Sequence, residues 1–197
     1  MPDTPSFHNL IPYSITVGTV FGLSVVAAIL LAATADLSMI SSRVITDPTA
    51  LRANLSGIQS VTFFLHVVLN NALIALMVMM STVFRKKFIP HLFIFWNGFV
   101  LTTYSLTIAQ AIGWFQFLSA FMPHAVIEIP SLLIAAVFAT HAIDRLNVEN
   151  TSWRIERGSA RQYLFIPYFY RVVPFVIVAA AVETFISLPV LKVLVGV

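Results

Sequence analysis

The 197-residue sequence contains no cysteine, so disulfides, thiolate metal sites and cysteine nucleophiles are all excluded. Charge is nearly as scarce. Asp, Glu, Lys and Arg make up 10% of the chain, against roughly 25% in an ordinary soluble domain. What fills the space is apolar: 59% of residues are hydrophobic and the mean hydropathy is +0.93. Such a chain belongs in a lipid bilayer. Its net charge of +3 does not point to nucleic acid, because most Lys and Arg sit in two clusters beside apolar runs and there is no basic stripe with interleaved stacking aromatics.

About 20 apolar residues cross a bilayer. On that measure the spans are residues 12–34, 61–84, 88–112, 122–143 and 172–191. Hydrocarbon cannot satisfy free backbone groups, and no run alternates as a barrel strand would, so an all-α polytopic bundle of five transmembrane helices is expected. "LAATA" at the end of the first span resembles a signal-peptidase site. The apolar run is too long for a signal-peptide core and no basic residue precedes it, so an uncleaved helix is expected.

Loop charge sets orientation. Arg85, Lys86, Lys87, Arg145, Arg154, Arg157, Arg161 and Arg171 fall on one side; Arg43, Arg52 and Lys192 fall on the other. The N-terminus is therefore expected inside and the C-terminus outside. Both outward connections read as short amphipathic interfacial helices. Asp47 caps one, Pro48 begins it, and Leu51, Leu55 and Ile58 share a face; the other carries Trp114, Phe117, Leu118 and Phe121. Packing over the bundle end explains such stripes equally well. Arg154, Arg157 and Arg161, near Trp153 and Tyr163, suit a basic helix on anionic lipid.

Six of the eight carboxylates, Asp144 among them, read as loop or terminal residues. Glu128 and Glu183 lie inside spans, where a charged group is costly and normally faces the bundle interior with a partner. Counting about 1.5 Å per residue from the outer side places Glu128 roughly 9 Å deep and Glu183 roughly 12 Å deep. On the same count His66 and Asn70 of span two lie about 7 and 13 Å down. His66/Asn70 and His124/Glu128 are each spaced i, i+4, on one helix face. Three readings stay open. His66, His124, Glu128 and Glu183 form a divalent metal site, zinc by donor type; or they form a proton or ion path; or they join Asn70, Asn71 and Asn97 in a polar network that only holds the helices together. His8, His91 and His141 lie at ends. His-x-x-x-Glu is not the zinc-protease motif, so hydrolysis has no motif support. Pro123 reads as an early helix position, whereas Pro130 should break a backbone bond within span four, two residues from Glu128.

The stretches "LNNALIA" in span two, "FWNGFVLTTY" in span three, "MPHAVIEIPSLLIAA" in span four and "VIVAAAVETFISLP" in span five resemble the stage II sporulation protein M family, over roughly residues 60–191. Members usually carry Gly where this chain has Ala125. The resemblance implies a multi-pass plasma-membrane protein that is not an enzyme. The family's namesake anchors a complex with two peptidoglycan-degrading proteins that drives engulfment of the forespore. The expected function is thus a non-catalytic scaffold, a homodimer that recruits peptidoglycan hydrolases on its outer face and acts in sporulation engulfment. The rival is a small transporter or channel for a metal ion or protons.

Overall fold

The computed structural model describes residues 7–34, 60–148 and 164–195. Among them there are helices and short connections and no strand. In chain order these are α1 (Phe7–Thr34), α2 (Ser60–Met80) with a 3-10 turn at Ser81–Phe84, α3 (Phe88–Ile112), α4 (Trp114–Val148), α5 (Val173–Val182) and α6 (Leu188–Val195). A π-helical turn, Tyr168–Val172, precedes α5, and a second, Glu183–Ser187, joins it to α6, so that Tyr168–Leu194 forms one continuous span. Among the described residues, five helices are long and apolar enough to cross a membrane. The expected interfacial helix around Asp47 and the basic segment around Arg157 lie outside the described residues.

α2 shows how a bilayer sorts one helix. Val61, Leu65, Leu69, Leu73 and Met77 recur every fourth residue and are all exposed, while Val67, Asn71, Ala75 and Val78 on the other face are buried. A bare apolar stripe of that length is untenable in water and ordinary in lipid. The centre of the bundle is α4, half of whose span is buried and which touches every other helix. Its inner positions are small: Ala135, Ala136, Ala139 and Ala142 are at most 1% exposed. Small residues let neighbouring backbones approach, which is how helices associate where lipid removes the hydrophobic drive between them.

Three details depart from the sequence reading. Trp114–Phe121 is not a separate surface helix but the opening turns of the 35-residue α4. The break falls earlier, at Gly113, whose φ of 93° suits a residue without a Cβ, and whose N–H bonds to the Ala109 carbonyl while its own carbonyl receives the Phe117 N–H. Pro123 consequently sits inside a helix, not at its start, and like Pro130 removes a bond to the carbonyl four residues back. Asp144 belongs to the end of α4, not to a loop. There it pairs with Lys87 Nζ, just ahead of α3, at 2.5 Å and accepts a hydrogen bond from Tyr13 Oη of α1 at 2.8 Å, tying the ends of three helices together.

The two contacts are unequal. Lys87 is about half exposed, so its ion pair is screened and worth at most ~1 kcal/mol. The phenol donates to an ionised acceptor in a half-buried position, a bond class worth about 1.5–3 kcal/mol. Tyr13→Phe is therefore expected to destabilise the folded protein more than Lys87→Ala does, measured by reversible unfolding in mixed micelles. The opposite order would show that the ion pair, not the phenol, holds this end.

Candidate metal centre

The two π turns of span five have a common origin. Each lies just ahead of a proline, Pro174 or Pro189. A proline offers no N–H to the carbonyl four residues back and its ring presses on that carbonyl, and a wider turn relieves both problems. Its bonds run five residues back: Val173 N–H reaches the Tyr168 carbonyl and Leu188 N–H the Glu183 carbonyl. The second π turn begins at Glu183 and ends at Ser187. Pro189 thus shapes the turn that carries both residues to α4.

On α4, His124 and Glu128 lie one turn apart. The structure brings them to Glu183 so that one ligand atom from each residue lies within 4.8 Å of the others. All three side chains are half-buried. Zinc bound at ~2.0–2.1 Å by nitrogen and oxygen spaces its tetrahedral donors about 3.4 Å apart, so a contraction of at most about 1.4 Å, within side-chain reach, would bring them to bonding distance. Partners orient them. His124 Nδ1 lies 3.1 Å from Ser187 Oγ, and the ring also reaches the backbone of Ala120. With its proton on Nδ1, facing these neighbours, the ring would offer the Nε2 lone pair to a cation, the usual way in which an outer shell orients a ligating histidine. Asn71, 7% exposed, hydrogen-bonds the Glu128 carboxyl, and Asn70 Nδ2 donates to Asn71 Oδ1 at 3.3 Å.

The other expected residues are placed differently. His66 stands outside the three-residue group but lines the same cavity of about 490 Å³, together with Asn70, Asn71, His124, Glu128 and Glu183. Asn97 Nδ2 donates to Phe93 O of its own helix at 2.9 Å, and Asn97 lines a neighbouring cavity instead. Of the aromatic stripe, Phe117 and Phe121 turn inward, stacked at 4.9 Å with Phe121 edge-on to His124, while Trp114 and Leu118 are exposed. Ser187 was missed. Its signal is its spacing: Glu183/Ser187 is a third i, i+4 polar pair, beside His66/Asn70 and His124/Glu128.

Thr184 follows Glu183 and is fully buried, and its Oγ1 has no hydrogen-bond partner among the described residues. An unsatisfied buried hydroxyl costs about 1–3 kcal/mol. Thr184→Val, nearly identical in shape, is expected to raise stability by about 1 kcal/mol in the same unfolding measurement, and a loss would reveal a partner for the hydroxyl.

A family model described as stage II sporulation protein M matches residues 15–188, most of the chain. The chain belongs to that family. Together with the five apolar helices, this makes it a membrane protein of a sporulation-related family, which is not a known enzyme family. No curated protein and no solved structure matches the chain. The match begins within α1 and ends at the first residue of α6, so it takes in at least part of every span, most of the cavity lining and the His124, Glu128 and Glu183 group.

Proposed function

We propose that this chain is a non-catalytic scaffold of the plasma membrane, which recruits peptidoglycan-remodelling partners on its outer face as a homodimer and carries an intramembrane divalent-metal site. Family membership supports the scaffold. The metal reading is carried by one observation, the convergence of His124, Glu128 and Glu183 from two spans with a donor set that suits zinc. The metal's role is structural: it ties span five to span four where a π turn has loosened the backbone. Facing carboxylates in a bilayer need a cation or a proton between them, and an imidazole completing the set favours the cation.

The metal joins two spans inside the bundle whereas recruitment uses the outer face, so the loss of one of three ligands should not reach the partner surface. In cells, Glu128→Gln is expected to leave site-specific crosslinking to a peptidoglycan hydrolase within about twofold of wild type, a change worth less than ~0.5 kcal/mol. Proton or metal flux in liposomes that vanishes in Glu128→Gln, with no hydrolase crosslinked in wild type, would overturn the scaffold in favour of a transporter.

A further inference from the structure

The cavity beside the three ligating residues is far larger than an ion. Its 490 Å³ falls within the roughly 300–1,000 Å³ of small-molecule sites, which are apolar with a few convergent polar groups. Here the polar groups are those of the ligating trio with His66, Asn70, Asn71 and Ser187, and the rest of the wall is apolar, including Val67, Leu101, Ile108 and Leu191. A second cavity of about 290 Å³ adjoins it and shares Asn70, Asn71, Leu101 and Glu128 with the first. Beyond those shared residues its wall is mainly apolar, with Ile94, Leu132 and Leu133 on α3 and α4. The two cavities meet at these shared residues, and together they make a slot with one polar region and mainly apolar walls elsewhere.

We propose that this slot holds a phosphate-headed membrane lipid, with its head at the metal, His66 and Asn70 and its chain passing Leu101 toward the second cavity. This rests on the metal reading above. One divalent ion, two carboxylates and a neutral imidazole sum to zero charge, so an anionic oxygen can complete the ion's coordination without facing uncompensated negative charge. Without the ion, a phosphate would face Glu128 and Glu183 directly. His66 and Asn70, one turn apart on α2 and exposed in the cavity wall, carry imidazole and amide N–H groups that suit the remaining phosphate oxygens. This gives a task to the two polar residues that stand outside the ligating group.

The apolar walls distinguish a lipid from a free anion. Inorganic phosphate would leave Leu101, Ile108 and Leu191 against water. An alkyl chain instead moves from bilayer to protein, between environments that are equally apolar. The head therefore supplies the affinity and the chain supplies the fit.

The test uses the full chain in neutral detergent, either zinc-loaded or stripped by chelator, with dodecyl phosphate as probe and native mass spectrometry and calorimetry as readouts. Zinc-loaded wild type is expected to bind dodecyl phosphate, and stripped protein to bind it at least about tenfold more weakly. His66→Ala, which removes head-group donors, and Leu101→Trp, which blocks the slot, should each weaken binding by about tenfold while zinc stays near ~1 per chain. A dialkyl phosphodiester run beside the monoester tells a phospholipid from a single-chain lipid phosphate, and binding of either supports the assignment. Equal binding with and without zinc, inorganic phosphate binding as tightly as dodecyl phosphate, or loss of zinc in His66→Ala would each overturn it. Wild type that takes up no zinc removes the metal reading and this one together; zinc uptake with no lipid phosphate bound removes this one alone.

Discussion

Purified wild-type protein is expected to carry about one zinc per chain, and His124→Ala to carry none. His124 supplies the only nitrogen in the three-residue group, and without it two carboxylates are left to hold the ion. The expected loss in affinity exceeds the roughly 10- to 100-fold that removal of an outer-shell partner costs. Ser187→Ala provides that comparison, since Ser187 Oγ touches His124 Nδ1 and belongs to no ligating group among the described residues. Its zinc should bind about 10- to 100-fold more weakly and still be detectable. His66→Ala should keep its zinc, because the structure leaves His66 in the cavity wall. Ligating carboxylates and imidazole must be deprotonated, so acid should release the metal from wild type. Elemental analysis after gel filtration decides the series. Metal absent from wild type and variant alike would leave the Asn71–Glu128 and His124–Ser187 contacts as a network that only joins helices.

The convergence of span four on span five could be counted in residues before any coordinates. Helical rise is fixed, spans start at a common surface, and a polar group in hydrocarbon must find another, so Glu128 and Glu183 were bound to a shared layer. That argument resolves depth but not azimuth. His66 lies at a similar counted depth yet belongs to the cavity wall, because depth says nothing of which way a helix is turned. Asn71 and Asn97 looked equivalent for the same reason. One is buried and bonded to Glu128, the other is bonded to its own helix. Local backbone rearrangement was also illegible. Pro174 and Pro189 are plain in the sequence of span five, but that they would be met by π turns, and that one would carry Glu183 and Ser187, depends on how the helix redistributes its hydrogen bonds.

The sharpest packing consequence concerns three glycines that sequence alone treats alike. In a helix interior, Gly→Ala gains about 0.8–1.0 kcal/mol of propensity. At Gly98 of α3 that gain is opposed, because a Cβ there would overlap Ser24 Oγ and lie 2.9 Å from the Phe21 ring of α1. Ser24 is fully buried and its hydroxyl is bonded to the Phe21 carbonyl at 2.6 Å, so it cannot turn away without breaking that bond. Overpacking typically costs 1–3 kcal/mol, and the lost hydrogen bond adds about 1 kcal/mol. Gly98→Ala is therefore expected to be destabilising by about 2 kcal/mol net of propensity, and Ser24→Ala in the same chain should restore part of the loss by removing the obstructing hydroxyl. At Gly18 and Gly22 on α1, a Cβ would meet nothing within 4 Å among the described residues. There Ala should stabilise by the propensity term alone, about 0.8–1.0 kcal/mol, in a dilute micelle where chains do not associate. A loss of stability at Gly18 or Gly22 would mean that another helix closes on that face of α1, and no loss at Gly98 would mean that α1 and α3 stand further apart than this contact requires.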